Sequence, residues 1–209
     1  MKIFNKFGSE TVNILKSGGI GVIPTDTIYG IVCSALSRKA VSRVYRLRKR
    51  SPDKPVIVLI SSKFDVRMFG ADLEPRTSNI LNKLWPGPIS VILKLDDKRQ
   101  VTRDKFKYLH RGKKTIALRM PKKTALRRFL NKTGPLIAPS ANFEGEPPAK
   151  TIKEAEKYFG DRVDFYVDGG KLKNKPSTIV SMESGKIVVL RKGAATKQIT
   201  KYSPLITNG

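Results

Sequence analysis

VIPTDTIYGIV, residues 22–32, begins as a strand and then interrupts itself. The apolar run stops at Pro24. Two threonines flank Asp26, Tyr29 and Gly30 follow, and apolar residues resume. IGVIP (20–24) reads as a short buried strand. Open α/β sheets place ligands at the carboxyl ends of their strands, so hydroxyls at such an end fit a binding role. The same hydroxyls fit a turn that bonds its own backbone. Taken alone, the stretch supports both readings equally.

Working outward, strands and helices mix along the whole chain. SETVNILKSGG (9–19) reads as a helix capped by Ser9 and stopped by Gly18-Gly19. SRKAVSRVYRLRKR (37–50) is a second helix, with Ser37 as N-cap and Ala40, Val41, Val44, Tyr45 and Leu47 on one apolar face. Pro52 ends it. A third lies near 76–84, before the turn WPGP; others cover 123–131, ended by Gly134-Pro135, and 151–160. Strands are expected at 55–60, 88–95, 115–120, 136–139 and 163–168. Strands 177–182 and 186–193 form a hairpin about Glu183-Ser184-Gly185. The charged segment 96–114 is poorly patterned and reads as a loop or insert, with His110 solvated in it. The expected architecture is one α/β domain over 1–209, with a core of about 8–195 and a short C-terminal tail, built on a mixed twisted sheet.

Composition narrows the function classes. The single cysteine, Cys33, excludes an internal disulfide framework. With one histidine and no H-E-x-x-H or C-x-x-C, a protein-held metal site is not expected. Apolar runs such as VIVLI (56–60) are too short to span a bilayer, and MKIFNKFGSE has no long apolar segment. The expectation is a cytoplasmic protein without membrane contact. The net charge of +25 favours polyanionic partners, nucleic acid among them.

Neither a Walker A nor a GxGxxG motif is present. Three stretches carry the remaining polar chemistry. The first is PTDTIYG (24–30). The second is RLRKRSPDK (46–54), within a run from Arg38 to Lys54 of eight basic residues against one acid, Asp53. Arginines where a helix ends can clamp phosphates through their forked donors, or can be a solvated face. The third is APSANFEGEPPAKT (138–151), in which Ser140 and Asn142 share one side of an extended backbone.

In this order, these stretches resemble the YrdC family of threonylcarbamoyl-AMP synthases. LWPGPISVIL (84–93), IALRMP (116–121) and PSTIV (176–180) extend the resemblance over nearly the whole chain. It implies a twisted mixed sheet with flanking helices around a large basic cavity. It also implies ATP-dependent synthesis of L-threonylcarbamoyladenylate from L-threonine, bicarbonate and ATP, with Mg²⁺, for tRNA modification. A downstream threonylcarbamoyl transferase complex would take the product.

The resemblance implies site roles too. Thr27, Tyr29, Arg119, Ser140 and Ser177 would hold threonine; Arg50, Lys54, Thr115, Asn142 and Arg191 would hold the nucleotide. Arg48 and Arg50 would act electrostatically, with no covalent nucleophile and no metal ligand from the protein. The family's K-x-R plus S-x-N signature is kept as Ser140 and Asn142, but Arg48 stands at its lysine position. Asp26 is left as turn chemistry, since a carboxylate would oppose the anionic substrates. Two alternatives stay open: an RNA-binding module on this fold with little catalysis, and a related carbamoyl-adenylate-forming enzyme with another acceptor.

Overall fold

The computed structural model describes residues 1–71, 73–183, 186–201 and 206–207. In chain order the first half comprises β1 (Lys2–Phe4), α1 (Ser9–Lys16), β2 (Gly21–Pro24), β3 (Tyr29–Ser34), α2 (Arg38–Leu47), β4 (Ile57–Leu59), α3 (Phe64–Met68), α4 (Pro75–Leu84) and β5 (Ile89–Lys94). The second half comprises α5 (Gln100–Lys105), α6 (Lys107–His110), β6 (Thr115–Arg119), α7 (Thr124–Thr133), β7 (Leu136–Ile137), α8 (Ile152–Phe159), β8 (Phe165–Val167), β9 (Thr178–Glu183), β10 (Lys186–Arg191), α9 (Thr196–Thr200) and β11 (Ile206–Thr207). The strands form one mixed sheet in the order β1-β8-β2-β3-β7-β4-β6-β5-β9-β10-β11.

Helices cover both faces of this sheet, which is why its central strands read as unbroken apolar runs. On β2, Val22 packs into one core and Ile23 into the other; on β3, Ile31 and Cys33 face one side while Val32 faces the opposite one. The smaller core holds Leu15 of α1 and Leu126, Phe129 and Leu130 of α7. The larger one holds Val41 and Val44 of α2, Leu81 of α4 and Phe159 of α8. Burial of a Leu- or Phe-sized side chain contributes about 1.5–3 kcal/mol, so these two layers hold the helices to the sheet.

Local signals explain most boundaries. Ser37 caps α2, its Oγ accepting from Ala40 N at 3.2 Å, and Thr151 caps α8 through Glu154 N at 3.2 Å. α1 corrects one expectation: Gly8 is the N-cap and Ser9 the first helical residue, while Thr11 Oγ1 accepts from Gly8 N at 3.1 Å. The 96–114 segment is also corrected. It forms α5 and α6 and buries Phe106, Tyr108, Leu109 and His110, with Phe69 packing on Phe106 at a 4.9 Å ring separation. His110 is buried, not solvated, and its Nε2 lies 2.9 Å from the Arg103 carbonyl. The hairpin β9–β10 is antiparallel as expected, with Val188 opposite Ser181. Residues 184 and 185 of its turn lie outside the described residues.

Candidate active site

The interrupted stretch folds back on itself. β2 and β3 are antiparallel, with Pro24 opposite Tyr29, so residues 25–28 form the turn between them. Its hydroxyls divide between two sets of partners. Thr25 serves the turn: its Oγ1 donates to Ile28 O at 2.7 Å and accepts from Thr27 N at 3.0 Å. Thr27 is buried, its Oγ1 3.0 Å from Thr25 Oγ1 and accepting from Arg119 Nη1 at 3.0 Å. The PSAN segment lies directly alongside. Ile31 N donates to Pro139 O at 3.0 Å and Ala141 N to Tyr29 O at 2.9 Å. A Cβ on Gly30 would stand 3.3 Å from Pro139 O, so the close approach favours glycine there.

These strand ends enclose a cavity of about 350 Å³. Thr27, Tyr29, Arg48, Arg50, Arg119, Ser140, Ser177 and Arg191 all line it. Sequence positions from 27 to 191 therefore meet at one place. Lys54, Thr115 and Asn142 are not among its lining residues. Thr115 begins β6 opposite Lys94. Asn142 is buried behind the wall, where Oδ1 accepts from Arg48 Nη2 and Nδ2 donates to Phe143 O and Glu146 O. Tyr29 is a lining residue. Its hydroxyl turns away to donate to Gly170 O at 2.8 Å and accept from Gly169 N at 2.9 Å.

Four guanidinium groups dominate the electrostatics, and no lining residue is acidic. Arg48 is buried at the end of α2 and bridges to the PSAN segment. It donates to Asn142 O at 3.1 Å, Ser140 Oγ at 3.2 Å and Asn142 Oδ1 at 3.3 Å. Burial, and then the neighbouring Arg50 charge, pull its pKa down to about 10, so it remains cationic at neutral pH. Lys49 sits between them in the left-handed region, φ 51°, and reverses the chain so that both arginines reach the cavity. Arg50 Nη2 donates to Pro55 O at 2.7 Å. Arg191 donates to Ser177 O at 2.8 Å, and Ser177 Oγ lies 2.9 Å from Ser90 Oγ. Burial and the Arg119 charge lower the Arg191 pKa.

Arg119 reveals a residue that sequence reading assigned elsewhere. Its Nη2 donates to Asp26 Oδ1, and Lys122 N donates to Asp26 Oδ2 at 2.9 Å. Asp26 is thus the tertiary counter-ion of a buried arginine, not turn chemistry alone. It does not oppose an anion in the cavity because Arg119 holds it outside the lining. No local pattern marks this pair, which the fold joins from 93 positions apart.

A second acid organises the rim. Glu144 accepts from Ser51 N and from Lys54 Nζ, each at 2.6 Å, and its own N donates to Arg48 O at 2.8 Å. Lys54 is therefore held at the surface by Glu144. The Lys54 hydrogen bond first, and then that of Ser51, hold the Glu144 carboxyl below the ordinary carboxylate range. This stabilisation is complete above the unfolded value of about 4.3 and is lost as pH falls through the lower folded value. Glu144→Gln is expected to lower the melting temperature by a few degrees at pH 7, with the gap to wild type closing below about pH 4. Calorimetric melts across pH check this; a gap as wide at pH 3 would show that the charge of Glu144 does not matter.

Comparisons with known proteins bear on the family and the fold. Residues 13–193 match the Sua5/YciO/YrdC family, described as telomere recombination. A protein of Methanocaldococcus jannaschii is 34% identical over 178 residues, covering 85% of this chain and 81% of its own. The Marinobacter nauticus protein named threonylcarbamoyl-AMP synthase is 31% identical over 172 residues, covering 81% of this chain and 88% of its own. The crystal structure of Pyrococcus abyssi Sua5 complexed with L-threonine superposes with a TM-score of 0.87 at 23% identity, and the match covers 100% of this chain and 63% of that one. This last likeness establishes the fold. The present chain spans less than two thirds of that protein.

Proposed function

Because the chain belongs to the Sua5/YciO/YrdC family, we propose that it condenses L-threonine, bicarbonate and ATP into threonylcarbamoyl-AMP, releasing pyrophosphate, for the modification of tRNA. The observation that carries the reading is the cavity itself: four arginines converge on a space with no acidic lining. Threonine's amine and bicarbonate give a carbamate, an anion, with loss of water. One carbamate oxygen then attacks the α-phosphate of ATP and pyrophosphate leaves. Both partners are negative, so the barrier is largely electrostatic. Fixed cations in a partly dry site lower such a barrier more than they would in water.

Position supports the following roles. Arg119, already seated on Asp26 and Thr27, is placed to take the threonine carboxylate, with Thr27 and Ser140 near its polar groups. Arg48 and Arg50, at the end of α2, face the phosphates with Arg191. No side chain has to form a covalent bond, and catalysis is positioning plus charge. Among the described residues, no three His, Cys, Asp or Glu side chains gather as a metal shell. The cavity lining offers no carboxylate, so Mg²⁺ would enter on the triphosphate as part of the MgATP substrate.

Incubation with threonine, bicarbonate and MgATP is expected to release pyrophosphate only when threonine is present. Release that ignores threonine would point to another acceptor. No release, with threonine failing to bind in calorimetry, would leave a binding protein on this fold.

A further inference from the structure

The segment that follows α2 meets a carboxylate beside the catalytic cavity. Glu144 Oε1 lies 2.6 Å from Lys54 Nζ and 4.0 Å from Arg50 Nη1, and Oε2 accepts from Ser51 N at 2.6 Å. An ammonium, a guanidinium and a backbone N–H are donors suited to a phosphate, and here they surround an acid of the chain itself. Arg50 belongs to both places, since it also lines the cavity. Lys54 does not line it, but shares one carboxylate oxygen with a residue that does. Ser140 and Pro148, on either side of Glu144 in sequence, are lining residues too.

We propose that Glu144 is a stand-in for the triphosphate. It holds Lys54 while the site is empty, yields it to the incoming phosphates and takes it back as pyrophosphate leaves. The proposal rests on the adenylate-forming reading for its ligand, the triphosphate of ATP. Glu144 is then a positioning residue that acts through Lys54.

Three observations favour exchange over a fixed strut. The Lys54–Glu144 pair parts easily: the Lys54 side chain is 60% exposed, its ammonium sits on a flexible stem, and exposed pairs contribute little. The two segments also stay joined without that pair. Glu144 N donates to Arg48 O at 2.8 Å, and Lys49 Nζ stands 4.7 Å from the centre of the Phe143 ring. Lys54 can therefore leave without opening the wall. Last, the charges set a competition. A triphosphate carries several negative charges against one on Glu144, so it draws Lys54 more strongly. The carboxylate left behind, still bonded to Ser51 N, is a like charge close to Arg50 and to any phosphate on it. Cations that attract a triphosphate also retain pyrophosphate, and this neighbouring acid weakens the retention.

The test is calorimetric binding of two probes, magnesium pyrophosphate and the magnesium complex of α,β-methylene-ATP, which cannot release pyrophosphate. Glu144→Gln keeps the shape and removes the charge. It is expected to tighten both probes roughly fivefold, to lower the KM for MgATP and to leave threonine affinity within about twofold of wild type. A strut that only orders the loop predicts the opposite sign. Lys54→Met tests the same exchange from an exposed side chain, and is expected to weaken both probes roughly fivefold. Glu144→Asp keeps the charge and should stay within about twofold of wild type. Unchanged or weaker probe binding by Glu144→Gln overturns the proposal. So does wild-type affinity in Lys54→Met, or tightening by Glu144→Asp equal to that by Glu144→Gln. The adenylate-forming reading fails separately. Threonine-independent pyrophosphate release alongside the expected shifts removes threonine as the acceptor and keeps the exchange. Threonine-dependent release with a reversed shift does the opposite, and a wild-type protein that binds neither probe overturns both.

Discussion

Arg119→Ala is expected to weaken threonine binding by about two orders of magnitude and to remove threonine-dependent pyrophosphate release, while ATP affinity falls far less. Arg119 is buried at the end of β6, with one donor on Thr27 and another on Asp26. Truncation removes the fork that would meet a carboxylate. It also strands Asp26, whose side chain is only 10% exposed. Removing one partner of a buried pair costs about 3–5 kcal/mol, so the variant should also melt lower. Asp26→Ala/Arg119→Ala separates the two effects: stability should return in part, and threonine binding should not. Calorimetry with each ligand and thermal melts give the answer. Normal threonine affinity with lost ATP affinity would reverse the assignment of the cavity's two ends.

Arg48→Ala is the second large effect. Three hydrogen bonds join this side chain to Ser140 and Asn142, so its loss detaches the end of α2 from the PSAN segment. Bonds to charged groups contribute about 1.5–3 kcal/mol each, though not additively. Turnover is expected to fall by about two orders of magnitude and the melting temperature by several degrees. Arg48→Lys divides charge from geometry. Lysine restores the ammonium but cannot reproduce the planar fork, so this variant should melt below wild type yet hold or raise turnover. If lysine loses turnover as alanine does, the arginine acts by bridging the two segments and its charge is secondary.

The central frame was legible because the sheet is covered on both faces. Strands such as β2, β5 and β6 appear as apolar runs between glycine and proline signals, and neither tertiary partners nor register is needed to see them. The elements that were missed have physical reasons. β1 is a three-residue edge strand with no periodicity to detect. β3 follows its turn so closely that YGIVCS reads as a mere resumption of the run before it. α5 buries none of its residues and so carries no apolar stripe. The site divides in the same way. Hydroxyls, arginines and the S-x-N pair lie in local clusters that sequence displays. What holds them does not: Asp26 meets Arg119 across 93 positions, and Glu144 meets Lys54 across 90. Pairing at that range belongs to the fold, not to any local pattern.

The walls of the catalytic cavity are far apart in the order of synthesis. Thr27 and Tyr29 leave the ribosome well before Ser177 and Arg191. β9 docks in parallel onto β5 from across nearly half the chain, Ile89 opposite Thr178. Such non-local closure is slow and comes late in folding. A nascent chain can thus assemble the β2–β3 hairpin and α2 while one side of the pocket is missing and Ser90 has no Ser177 to meet. The cavity can close only after Arg191, the last of these wall residues in sequence, has been made.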